Sequence, residues 1–119
     1  KLETNSNNAA LKVALANIYL EEGSQDVLKT DLNSKKARKI LLEAKSLDKN
    51  LNSRFYVLLG YSYEISGDYQ QALNYYQKAL KINPRSADAL FQTGHIKWLK
   101  GEQSEAFYFY QKAESNFVP

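Results

Sequence analysis

The second half of the chain repeats itself with a period of 34 residues. Residues 53–85 align with residues 87–119 without gaps, and the identical positions are mostly small or aromatic. The seven identities are Gly60/Gly94, Gly67/Gly101, Ala72/Ala106, Tyr76/Tyr110, Gln77/Gln111, Lys78/Lys112 and Ala79/Ala113. A period of this length is typical of helical hairpins that cannot bury their apolar faces alone and therefore stack on one another.

Apolar and small residues in the first of these units predict two helices that pack closely. Tyr56, Leu59 and Tyr63 recur at i, i+3 and i+7, which places them on one helical face. Gly60 and Ala72 lack bulk where the two helices approach each other. The unit is therefore predicted to be an amphipathic hairpin.

Turn residues predict where these helices begin and end. Gly67 can adopt the left-handed conformation that ends a helix, and Asp68 with Gln71 three residues later predicts the N-terminal cap of the next one. The Asn83-Pro84 pair ends the second helix, because proline has no amide hydrogen and disfavours the α conformation in the residue before it.

These features resemble the tetratricopeptide repeat (TPR) family, whose unit is a hairpin of a helix A and a helix B. The match is specific over residues 53–86. The residues that carry it are Tyr56, Leu59, Gly60, Tyr63, Ala72, Tyr76, Ala79 and Pro84. The resemblance implies an all-α fold, namely a right-handed superhelical solenoid of three TPR hairpins.

The resemblance also divides the chain into segments. Residues 1–8 are a polar lead-in, residues 9–51 form the first repeat, residues 53–86 the second and residues 87–119 the third. The chain contains no methionine and starts at Lys1, which indicates a piece of a longer parent chain. A signal or an anchor can lie outside this piece, so the compartment is unknown, with the cytoplasm as the default.

The first repeat departs from the pattern by an insertion at residues 24–34. Ala37, Leu41 and Ala44 have the spacing of a helix B but lie nine residues later than expected. Two structures are open for the insertion, because its apolar residues can either extend helix B by a turn or fold back on the hairpin. The expected helices are residues 9–22, 35–48, 53–66, 69–82, 87–100 and 103–116.

Charge is unevenly distributed along the chain. The net charge is +3, yet residues 29–49 hold seven lysine or arginine residues against three acidic ones, a net charge of +4. A basic segment of this size can bind RNA or an anionic surface. The alternative, which we favour, is a solvated outer helix face, so nucleic acid is not the expected partner.

Several classes of function find no support in the sequence. His95 is the only histidine, cysteine and a glycine-rich phosphate loop are absent, and the sequence does not indicate a nucleophile with a base and an orienting residue. We therefore expect that the chain is not an enzyme and that it has no cofactor and no metal site. The insertion also lacks the glycine and the distal glutamate of a calcium loop. No apolar run approaches the roughly 18 residues of a membrane span.

Binding of a protein is the expected function. The resemblance implies that the A helices line a concave groove that binds a peptide or a partner protein, so the chain is interpreted as a non-catalytic interaction scaffold or adaptor. The predicted groove residues are Val13, Asn17, Arg54, Val57, Tyr61, Glu64, Phe91, His95 and Trp98. Phe91 and Trp98 can instead pack on neighbouring helices, since aromatic residues at helical spacing are usually core.

The last predicted helix is unusually aromatic. It contains Phe107, Tyr108, Phe109 and Tyr110, with Phe117 close to its end, and these residues point to more than one face. A polar capping helix, which solenoids normally carry at an end, is missing. Either further repeats follow in the parent chain or this end meets another copy of itself, which makes self-assembly a third hypothesis.

Overall fold

A computed structural model describes residues 9–22, 27–47 and 51–116, and these form six helices. The helices are α1 (Ala9–Glu22), α2 (Val27–Leu47), α3 (Ser53–Ile65), α4 (Tyr69–Ile82), α5 (Ala87–Leu99) and α6 (Gln103–Asn116). Consecutive helices pair into three hairpins, and α2 packs on α3 as α4 packs on α5. The predicted all-α solenoid of three hairpins is confirmed. The lead-in, the start of the insertion and Phe117 lie outside the described residues.

The predicted turn residues adopt the expected conformations. Gly67 and the equivalent Gly101 have φ angles of 83° and 81°, in the left-handed region that favours glycine. The Asp68 carboxylate accepts a 3.3 Å hydrogen bond from the backbone amide of Gln71 at the start of α4. Helix α4 ends at Ile82, directly before Asn83 and the proline.

Helix α2 begins at Val27, eight residues before the predicted start at residue 35. Asn33 and Ser34 have the composition of a turn, but both are buried on the face that also carries Ala37. The Ser34 hydroxyl lies 3.1 Å from the hydroxyl of Ser66 at the end of α3. Most of the insertion therefore extends the helix, and the buried Ser34 hydroxyl finds its partner in the next hairpin.

Two buried clusters hold the hairpins together. The first joins α1, α2 and α3, and the second joins α3, α4 and α5. The first contains Ala16, Leu20, Ala37, Leu41, Ala44, Phe55, Leu58 and Leu59. The second contains Val57, Ala72, Leu73, Tyr76, Ala79, Ala89 and Ile96. Since α3 contributes to both clusters, it fixes α1 and α5 on either side of itself. No helix in the described part of the chain combines the length and apolar character that a membrane crossing requires.

Candidate functional site

Helices α1, α3 and α5 lie side by side and enclose two adjoining hollows. The first hollow has a volume of about 520 Å³, and its polar lining comes from all three helices. The second, of about 440 Å³, lies between α3 and α5. Tyr61 and Gln92 line both hollows, so the two form one continuous surface, which we call the groove.

An exposed ion pair crosses the first hollow. Arg54 of α3 donates a 3.0 Å hydrogen bond to the Asp88 carboxylate of α5, and the two residues occupy the same position in consecutive repeats. More than half of each side chain is exposed, so the pair contributes little to stability. Its effect on the groove is to neutralise the Arg54 cation and to leave both side chains accessible to a ligand.

A buried carboxylate anchors the floor of the second hollow. Glu64 accepts a 2.7 Å hydrogen bond from the Tyr76 hydroxyl, and its other oxygen lies 2.7 Å from Nδ1 of His95. Burial raises the pKa of Tyr76, and the nearby Glu64 carboxylate raises it further, so the phenol stays protonated. His95 is thereby held by α3 while the rest of its ring faces the groove.

Seven of the nine predicted groove residues line the two hollows. They are Asn17, Arg54, Val57, Tyr61, Glu64, Phe91 and His95. Val13 instead packs against the first buried cluster, and Trp98 lines neither hollow although its side chain is exposed.

The prediction omitted Gln92, which lines both hollows. Its position was recoverable from the sequence. Asp88, Gln92 and His95 are spaced at i, i+4 and i+7 and so share one face of α5.

Several cations of the basic segment contact aromatic rings of the chain itself. The Arg38 guanidinium lies 4.1 Å from the centre of the Tyr63 ring, and Lys36 and Lys45 lie near two further tyrosine rings. Arg38 also donates 2.7 Å hydrogen bonds to the Ser62 carbonyl and the Ser66 hydroxyl. Part of the positive charge therefore joins α2 to the helices around it. Lys49 and the side chain of Lys29 lie outside the described residues.

Comparison with known proteins agrees with this architecture. The family model of the tetratricopeptide repeat matches residues 53–86, which span α3 and α4. Residues 53–86 of the chain are a tetratricopeptide repeat. The flanking hairpins of this TPR chain stack on the matched one in the same arrangement.

Two curated proteins are similar in sequence to this TPR chain. The photosystem I assembly protein Ycf3 of Acaryochloris marina is 36% identical over 89 residues, which cover 73% of the chain and 54% of that protein. The TPR repeat-containing protein MJ1428 of Methanocaldococcus jannaschii is 33% identical over 104 residues, covering 84% of the chain and 18% of that protein. The TPR chain thus spans about half the length of the first and less than a fifth of the second.

Two solved structures of MamA have the same fold as the TPR chain. One superposes with a TM-score of 0.77 at 24% identity and covers 97% of the chain and 57% of that MamA chain. The other has a TM-score of 0.63 at 21% identity and covers 97% and 81% respectively. At these identities the likeness extends to the fold alone.

Proposed function

We propose that this TPR chain is a non-catalytic protein-interaction module that binds an extended segment of a partner protein in the groove. The observation that carries the proposal is the continuity of the groove, because Tyr61 and Gln92 line both hollows. A single extended segment can therefore contact α1, α3 and α5 together.

The lining of the groove indicates which segment fits. The amides of Asn17 and Gln92 each offer a donor and an acceptor, as the backbone of an extended peptide requires. In the second hollow Phe91 and Leu99 provide an apolar site for one large side chain. Buried aromatic anchors of this kind usually carry most of the affinity of an interface. The partner segment is thus extended, with an aromatic or large aliphatic residue that enters the second hollow.

Two further observations support an interaction role. Ycf3, the similar protein of Acaryochloris marina, is named an assembly protein, and an assembly role requires binding of other proteins. His95, the one histidine of the chain, contacts the Glu64 carboxylate through Nδ1 and lines an open groove, where it can contact a partner.

Selection of peptides tests the proposal. Random peptides displayed on phage are selected on the immobilised chain, and their binding to variants is measured by fluorescence anisotropy. Gln92→Ala and Tyr61→Ala are expected to weaken binding by about tenfold or more, since each removes a contact common to both hollows. Gln77→Ala is the matched control, because Gln77 is exposed on α4 and lies outside the groove.

The result that contradicts the proposal is equal affinity of the selected peptides for the wild type, Gln92→Ala and Tyr61→Ala. Circular dichroism of each variant establishes that the fold is retained, so a loss of binding can be assigned to the groove.

A further inference from the structure

The hydrogen-bonding role of His95, which lines the second hollow, is set by a buried neighbour. Nδ1 of His95 lies 2.7 Å from one oxygen of the Glu64 carboxylate, whose side chain is only 7% exposed. The other oxygen already accepts the hydrogen bond of the Tyr76 hydroxyl. A carboxylate offers acceptors only, so the hydrogen in the contact with His95 belongs to Nδ1. In the neutral imidazole Nε2 then carries no hydrogen and is an acceptor.

Nε2 of His95 is the ring nitrogen that remains for a ligand. The His95 side chain is 42% exposed although Nδ1 is engaged, and it lines the hollow between α3 and α5. Among the residues that the structure describes, Glu64 is the hydrogen-bond partner of the ring. His95 therefore presents an acceptor to the hollow, and the contact with Glu64 opposes an exchange of roles between the two ring nitrogens.

The other polar side chains that line this hollow do not select a ligand by its hydrogen-bonding role. Tyr61 and Tyr69 carry hydroxyls, and Gln92 carries an amide. A hydroxyl can donate or accept by rotation, and an amide offers both a donor and an acceptor. Both oxygens of Glu64 are already engaged within the chain. Discrimination between a donor and an acceptor on the ligand therefore depends on His95.

The apolar lining sets the size and character of the ligand group. Ile65, Phe91 and Leu99 contribute to the same hollow, whose volume is about 440 Å³. A phenylalanine or leucine of a partner would bury apolar surface here but would shield Nε2 of His95 from water without giving it a donor. An acceptor buried in this way costs binding free energy. The hollow thus favours a large aromatic group that also carries a hydrogen-bond donor.

We propose that the anchor residue of the partner segment is a tryptophan whose indole N–H donates to Nε2 of His95. The indole combines a large apolar surface with one donor and no acceptor, which matches the fixed role of Nε2. This inference rests on the proposed function, since it specifies the side chain that enters the second hollow of the groove.

A change of one atom in the ligand tests the proposal. Peptides selected on the chain from a random phage library are expected to share a tryptophan, and a different shared anchor would overturn the proposal. The best peptide is then synthesised with tryptophan and with benzothienylalanine, in which sulfur replaces the indole N–H. By fluorescence anisotropy the tryptophan peptide should bind the wild type about fivefold to tenfold more tightly.

Glu64→Gln reverses the role of His95 with little change of shape. The amide of this variant can accept from the Tyr76 hydroxyl and donate to Nδ1 of His95, which moves the ring hydrogen to Nε2. The preference for tryptophan should then disappear, because two donors would face each other. Glu43→Gln is the matched control, since Glu43 pairs with Lys12 and lies outside the groove. Circular dichroism of both variants establishes that the fold is retained.

Nuclear magnetic resonance tests the role of His95 without any ligand. Long-range ¹H–¹⁵N correlation spectra show which ring nitrogen carries the hydrogen, and His95 is the one histidine of the chain. We expect the hydrogen on Nδ1 in the wild type and on Nε2 in Glu64→Gln. A wild-type ring with the hydrogen on Nε2, or with both nitrogens protonated at neutral pH, would overturn the proposal.

The outcomes separate this inference from the proposed function. Equal affinity of the two synthetic peptides for the wild type, or a preference for tryptophan that persists in Glu64→Gln, would overturn the inference. The proposed function would still stand if Gln92→Ala and Tyr61→Ala weakened binding of the same peptides. Peptides that bind these two variants as tightly as the wild type would contradict the proposed function itself.

Discussion

Tyr76 of α4 donates a 2.7 Å hydrogen bond to Glu64 of α3, and both side chains are buried. The second oxygen of the same carboxylate contacts His95 of α5. One buried acid therefore connects the two helices of the middle hairpin with the first helix of the next hairpin. A carboxylate in this position is tolerated because both of its oxygens have partners.

Tyr76→Phe is expected to lower the free energy of unfolding by about 1–3 kcal/mol, because one oxygen of the buried carboxylate loses its donor. The substitution should also change the response to alkaline pH. The fold raises the pKa of Tyr76 above its ordinary value of 10.0, so above that pH the unfolded chain releases a proton that the native chain keeps. Ionisation of this tyrosine therefore leaves the free energy of unfolding unchanged below about pH 10. Above that pH the free energy of unfolding declines, by up to about 1.4 kcal/mol per pH unit.

Urea unfolding at several pH values above neutrality measures both effects. The stability of Tyr76→Phe should fall less steeply with alkaline pH than that of the wild type. Tyr108→Phe is the control, because it removes the same hydroxyl group from an exposed position on α6. Identical alkaline slopes for Tyr76→Phe and the wild type would contradict the interpretation.

Gly60→Ala and Gly94→Ala form a matched pair at equivalent positions. A Cβ at Gly60 would lie 2.6 Å from the ring of Tyr76, which is fully buried and has no room to move. We expect a loss of about 1–3 kcal/mol from overpacking, reduced by the roughly 1 kcal/mol that alanine gains over glycine in a helix. A Cβ at Gly94 would lie 2.9 Å from Tyr110, a ring at the open end that can shift.

Gly94→Ala is therefore expected to be close to neutral, and the comparison is made by urea unfolding of both variants under one set of conditions. If Gly94→Ala destabilised the chain as much as Gly60→Ala, the interpretation that the Tyr110 ring can shift would be wrong.

Arg38→Lys is expected to destabilise the junction of α2 and α3 by about 1–2 kcal/mol although the charge is kept. Lysine lacks the planar fork that bonds the Ser62 carbonyl and the Ser66 hydroxyl at 2.7 Å while stacking on Tyr63. Thermal unfolding followed by circular dichroism measures the loss. Lys39→Arg, at an exposed position of the same helix, should have no effect. An Arg38→Lys chain as stable as the wild type would mean that only the charge matters.

The sequence predicts where a helix begins or ends when the contacts that fix this point lie within the same turn. Gly67 and Asp68 act within their own turn, so the end of α3 and the start of α4 could be predicted from them. The start of α2 could not be predicted. Asn33 and Ser34 favour a turn by themselves, and the helix forms because Ser34 is buried and contacts Ser66 of another hairpin.

The groove was predictable to the extent that it follows helical spacing. Tyr61 and His95 fall on the predicted face, as does Gln92, which the prediction omitted. The exposure of Trp98 depends on whether another hairpin covers α5. The sequence of α5 alone carries no information on this. The contact of Glu64 with Tyr76 depends on the register between two helices, and this too is absent from either helix alone.

Helix α2 has 21 residues where α4 and α6 each have 14, a difference of about 10 Å in length. A partner can bind an array of similar hairpins in several positions of nearly equal free energy, each shifted by one hairpin. The two additional turns of α2 make the first hairpin different from the other two described hairpins. The three described hairpins are therefore not interchangeable, and a ligand shifted along them by one hairpin would meet a different surface.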